Sequence, residues 1–208
     1  MISSSSARLD AFTDAAFAFA VTLLVVGSTG IVPDYKGLLL AMKSVPSFAI
    51  GFAIIGMFWH AHVRWRGVRG EGNSASVLLT FLLIFAVLVY IQPLRAMSTS
   101  FASFIGGGNA SFGGPLAAMF AIYGIGFTLM SAVTCALFHN ALGNSSLDAE
   151  AKHIVKGERA IWAILMGTGM ISTFMTQIGA LSSLAPFVYA TLPVTIPMFV
   201  ARWFRRKS

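Results

Sequence analysis

The sequence predicts an all-α integral membrane protein with six transmembrane helices per chain, and three observations lead there. Of the 208 residues, 57% are hydrophobic and only 10% charged, and the mean hydropathy is +0.81. A soluble domain carries about 25% charged residues, so this chain lacks the charge to coat a globule in water. The apolar residues also fall into runs of membrane-crossing length, parted by polar, Gly-rich or Pro-containing stretches. Finally, the Lys and Arg residues gather at the ends of those runs, as topogenic charges do. The net charge of +7 is therefore read as topology, and no nucleic-acid partner is expected. Cys135 is the single cysteine, and with four histidines it offers no metal-ligand spacing. No metal site, cofactor or catalytic triad is expected, and the chain is not read as an enzyme.

The whole chain, 1–208, is expected to be one six-helix domain. The first helix is placed at 6–27, with Ser3 to Ser6 offering cap oxygens and Asp10 near the positive helix end. Gly27 to Gly30 and Val32-Pro33-Asp34 end it. Because no basic stretch precedes its apolar core, it is read as a retained helix and not a cleaved leader. The second is placed at 43–66, with an apolar preamble from Gly37, and the third at 76–96, ending near Pro93 and Arg95. A Gly-, Ser- and Phe-rich loop, Ser98 to Gly114, leads to the fourth at 115–139, opened by Pro115. A polar connector then precedes the fifth at 157–181. The sixth, at 184–204, holds Pro186, Pro193 and Pro197 and is expected to kink. Gly124-x-Gly126 and Gly167-x-Gly169 are expected to permit close helix approach.

Six spans put both termini on one side. Arg8, Arg64, Arg66, Arg69, Lys152, Lys156, Arg159, Arg202, Arg205, Arg206 and Lys207 then share that side. Lys36, Lys43 and Arg95 fall on the other, so the termini are expected in the cytoplasm and the protein in the cell (inner) membrane.

The first helix is the most informative stretch. Wound at 100° per residue, it places Phe12, Phe19, Leu23 and Val26 on one narrow stripe, with Thr22 beside it. Asp14 lies about 200° round from Phe12, and Arg8 is about 240° from Asp14, too far for the two to pair within the helix. An unpartnered carboxylate at this depth costs roughly 2.5–3.5 kcal/mol. A polar network with the second helix is therefore expected, Asp14 bonding to Trp59, His60 or His62, with Arg64 at matching depth. Along that helix Trp59, His62 and Arg66 share one face, and His60 and Arg64 another.

These residues carry a resemblance. Arg8-x-x-x-Phe12-Thr13-Asp14, running on into Thr22-Leu23-Leu24-Val25, resembles the Arg-x-x-x-Phe-Ser-Asp signature of the transmembrane protein 175 family of potassium channels. Phe58-Trp59-x-x-His62 looks like that family's second motif. With one such repeat, the chain is similar to the prokaryotic members, in which four subunits surround a pore. The resemblance implies a homotetramer in the lipid bilayer, its first helix lining the pore, that conducts potassium and other monovalent cations. It implies no carbonyl selectivity filter, but a constriction of apolar rings at Phe19, Leu23 and Val26 with a hydroxyl ring at Thr22. Thr13 replaces the usual Ser and keeps its hydroxyl, the histidines stand as His60-Ala61-His62, and Phe19 replaces the usual Ile or Leu with a bulkier ring. Two other readings stay open: a proton or unselective cation leak through Asp14 and the histidines, and a non-conducting membrane scaffold.

Overall fold

A computed structural model describes residues 2–29, 34–70, 72–105 and 116–205. Among them are seven α-helices and one long 3-10 segment, with no strand. The helices are α1 (Ile2–Thr29), α2 (Tyr35–Lys43), α3 (Val45–Arg69), α4 (Ser74–Ile105), α5 (Leu116–Ala141), α6 (Ala149–Met175) and α7 (Leu192–Arg205). The 3-10 segment, Gly179–Thr191, precedes α7.

All six expected helices form, with edges moved by local chemistry. Ser44 separates the preamble from the second span as a distinct helix, α2. Its Oγ donates back to the Ala41 carbonyl at 2.6 Å, and Pro46 opens α3 in its first turn. The third helix runs past Pro93 to Ile105, so half of the expected 98–114 loop is helical. Residues 106–115, including the Gly-rich centre of that loop, lie outside the described residues.

The fifth helix starts eight residues early because Asp148 caps it. One carboxylate oxygen accepts from the Ala151 N–H at 2.7 Å, and Glu150 sits in the first turn, where the helix dipole favours an acid. The sixth is a composite. Pro186 denies it a regular ladder, and the chain stays in 3-10 geometry until Leu192, after which Pro193 is tolerated in the first turn of α7.

Among the described residues, five stretches are long and apolar enough to cross a membrane: Ala7–Val26, Val45–Arg69, Ser74–Thr99, Ala118–Ala141 and Leu184–Trp203. The fifth expected span, α6, is not among them. Its first turns carry Glu150, Lys152, Lys156, Glu158 and Arg159, which leaves a shorter apolar run to Met175. At 27 residues it is nonetheless about 40 Å long, enough to cross beside a partner. That partner is α5, on which α6 packs more extensively than any other pair of elements packs.

Glycine makes that contact close. A Cβ on Gly124 would strike the Thr173 hydroxyl, and one on Gly169 would strike that of Thr128. On the other side of α5, Gly126 receives the ring of Tyr90 from α4, whereas Gly167 faces open space. Three of the four singled-out glycines thus mark close contacts. The core between α3, α5 and α6 centres on Phe58, whose ring lies 5.9 Å from Phe127 and 5.1 Å from Trp162.

Polar contacts collect at one end of the bundle. Arg69 donates to Asn140 at 2.8 Å, Ser76 donates to the same oxygen at 2.9 Å, and the Asn144 amide donates to the Val68 carbonyl at 3.0 Å. Arg64 pairs with Glu158 at 2.5 Å, and Trp203 of α7 donates to the His153 carbonyl of α6 at 3.3 Å. These contacts tie the α3–α4 turn to the α5–α6 turn and the end of α7 to the start of α6.

Candidate functional site: the tethered first helix

One face of α1 is fixed and the other is free. Thr13, Phe17, Ala20 and Leu24 are buried against α3 and α4. The closest approach is at Gly51, where a Cβ would stand 2.7 Å from the Leu24 methyl. The Thr13 hydroxyl, buried with this face, donates to the Leu9 carbonyl at 2.8 Å and needs no partner from another helix.

Two polar contacts hold this packing from α3. Trp59 Nε1 donates to Asp14 at 2.9 Å, and Arg66 Nε donates to Asp10 at 2.7 Å, forming an ion pair. Of the three partners expected for Asp14, Trp59 makes the bond. His62 bonds instead to the Thr80 hydroxyl of α4 at 3.2 Å and lies 5.1 Å from the Trp65 ring. Arg64 turns away to Glu158, and His60 is exposed. Arg8 is exposed, and no ion pair of it is present among the described residues.

Asp10, Arg66 and Thr80 are the members that sequence reasoning missed. The signal was present in the spacing. Asp10 and Asp14 lie one turn apart, Trp59 and Arg66 two turns apart, and an antiparallel pair of helices matches the acids to the donors in that order. Asp10 had been given to the helix dipole, which hid its partner.

The other face carries the stripe. Phe12, Phe19, Leu23 and Val26 are 51%, 55%, 37% and 65% exposed, and Thr22 is exposed among them. By the winding, the covered arc centres near Thr13 and Leu24, and the uncovered arc near Ala15 and Thr22. Phe19 and Val26 lie well inside the uncovered arc. Leu23 and Phe12 lie at its edge, with the Phe12 ring 5.6 Å from Phe81 of α4. Asp14 sits at the opposite edge, toward α3. The Thr22 hydroxyl donates to the Ala18 carbonyl at 3.0 Å, leaving its lone pairs outward. No group of His, Cys, Asp and Glu able to hold a metal ion occurs among the described residues.

The tether makes a prediction about stability. Asp14→Ala should destabilise the solubilised protein by about 1.5–3 kcal/mol, the range for a hydrogen bond to a charged group, and Asp14→Asn, which keeps an acceptor, by less. Trp59→Phe should add little to Asp14→Ala, because each change removes the same bond. Thermal unfolding in detergent checks this, and equal, additive losses would contradict the pairing.

Four likenesses to known proteins bear on this geometry. The model of the family described as endosomal/lysosomal potassium channel TMEM175 matches residues 8–90, a stretch that holds α1, the tether and the first half of α4. A potassium channel of Marivirga tractuosa is 36% identical over 100 residues, which cover 48% of this chain and 40% of that protein. The alignment thus spans less than half of that relative's length.

The fold as a whole resembles that of the potassium channel MtTMEM175, crystallised as a variant with a nanobody fusion. The TM-score is 0.82 at 25% identity, covering 96% of this chain and 94% of that one. A homologue, from Chamaesiphon minutus, of the lysosomal potassium-selective channel TMEM175 shares the fold with a TM-score of 0.65 at 22% identity, covering 96% and 98%. These relatives are described as channels, none as an enzyme. The signature on α1, the family model that matches it and the whole-chain likeness in fold make this chain similar to the TMEM175 channels.

Proposed function

We propose that the chain forms a potassium-preferring cation channel, a homotetramer in which the uncovered face of α1 lines a central pore. The observation that carries this reading is the division of α1 into a tethered face and an apolar face that its own protomer leaves bare. Lipid covers bare apolar faces too, but here the face belongs to the segment the family model matches and carries its signature. Rings of Phe19, Leu23 and Val26 narrow the pore, and Thr22 offers lone pairs beside them.

An apolar constriction gates by dewetting and ranks ions by the cost of stripping their water. Potassium holds its water less tightly than sodium, so it crosses more readily without a carbonyl filter. Asp14 stands at the edge of the face, bonded to Trp59, and acts by setting the tilt of α1. A proton relay through the histidines is less favoured, because His62 is occupied by the Thr80 hydroxyl of α4.

Flux from liposomes holding the purified protein tests the reading, with potassium, sodium and protons measured separately. Potassium should exceed sodium. Phe19→Ala should raise flux by about tenfold or more, equivalent to a barrier lowered by about 1.4 kcal/mol, and weaken the preference. Leu23→Ala should act in the same direction more weakly. Unchanged flux and preference in both variants would remove these residues from the pore, proton flux alone would favour a leak, and no flux would favour a scaffold.

The termini are proposed to be cytoplasmic and the membrane to be the cell membrane, on the asymmetry of Lys and Arg. A reporter fused after Ser208 should then be active only in the cytoplasm, and one near Gly107 only outside. The reverse result would overturn the orientation.

A further inference from the structure

We infer that the paired ends of α6 and α7 form a binding site for the headgroup of an anionic phospholipid. The two ends are locked at one level. The Trp203 ring fills the space over Gly157, where a Cβ would lie 2.9 Å from its Nε1, and stacks on His153 with centroids 5.0 Å apart. Lys152 and Lys156 on α6 therefore stand level with Arg202 and Arg205 on α7.

The α7 pair also ends an apolar stripe, and the α6 pair shares its helix face with exposed apolar residues further along. On α7, Val194 and Met198 are exposed, and Arg202 and Arg205 continue that stripe within about 80° of arc. On α6, Met170 and Phe174 are exposed, and Lys156 and Lys152 lie on the same face toward the helix start. Lys156, Arg202 and Arg205 are exposed. The neighbouring acids balance them poorly: Glu158 is held by Arg64, Asp148 caps the first turn of α6, and Glu150 lies more than about 100° round that helix from both lysines.

A cation at the end of a lipid-facing stripe meets headgroups. A soluble anion would have no need of the apolar surface below it. The paired ends suit a lipid whose chains lie along Val194 and Met198 and whose phosphate sits between the lysines and arginines. The site is independent of whether α1 lines a pore.

The test uses the full chain in mild detergent with equal amounts of phosphatidylglycerol and phosphatidylcholine, the retained lipids counted by native mass spectrometry. The wild type should retain phosphatidylglycerol preferentially. Lys152→Gln/Lys156→Gln/Arg202→Gln/Arg205→Gln should lose that preference, by roughly fivefold for each cation removed. One exposed cation from each helix, Lys156→Gln/Arg205→Gln, should lose part of it, which keeps the test decisive if the fourfold variant misfolds. Lys36→Gln/Lys43→Gln, on α2, should keep it, as should Lys156→Arg/Arg205→Lys. An unchanged preference in both Gln variants would overturn the site. Inorganic phosphate displacing phosphatidylglycerol at equal concentration would overturn the lipid as its ligand.

Discussion

The hydrogen bond from Trp59 to Asp14, with the Arg66–Asp10 ion pair one turn away, decides how α1 sits. An apolar helix in a bilayer has little reason to prefer one rotation about its axis, because lipid covers every face about equally well. Two carboxylates on the same side remove that freedom. Each must meet a donor, the donors lie on α3, and the rotation that satisfies both turns Thr13, Phe17, Ala20 and Leu24 inward. Phe19, Thr22 and Val26 are left uncovered as a consequence. The polar signature and the apolar stripe are two results of one constraint.

The rest of the bundle gives the tether something rigid to act against. Gly51 lets Leu24 of α1 settle onto α3, and the aromatic contacts of Phe58 with Phe127 and Trp162 fix α3 against α5 and α6. Behind them, the Gly124 and Gly169 contacts bring the α5 and α6 backbones together, allowing α6 to cross the bundle despite its charged first turns. Polar groups are concentrated at one end, where Arg69, Ser76 and Asn140 join two turns and Arg64 reaches Glu158. Movement of α1 thus meets a frame whose parts are bonded to one another.

The helices were legible because lipid selects for long apolar runs, and those runs survive any detail of packing. The donor to Asp14 was narrowed to Trp59 and the two histidines by depth alone. Geometry chose among them: the indole reaches α1, whereas His62 turns to Thr80. The Asp10–Arg66 pair was hidden because a carboxylate near a helix start has a local explanation that competes with a distant one. The early start of α6 turned on Asp148, one capping residue among several polar candidates in its connector. The long 3-10 segment was signalled only by Pro186, and proline predicts a break without predicting what replaces the helix.

The central claim is that the uncovered face of α1 converges with its copies on a common axis. Spin labels at Phe19→Cys, in a Cys135→Ser background, test it through distances measured in the reconstituted protein. Two short distances in the ratio of the side to the diagonal of a square are expected, together with protection from a lipid-soluble relaxation agent. Labels without mutual coupling, and open to that agent, would show that Phe19 faces lipid and would contradict the account.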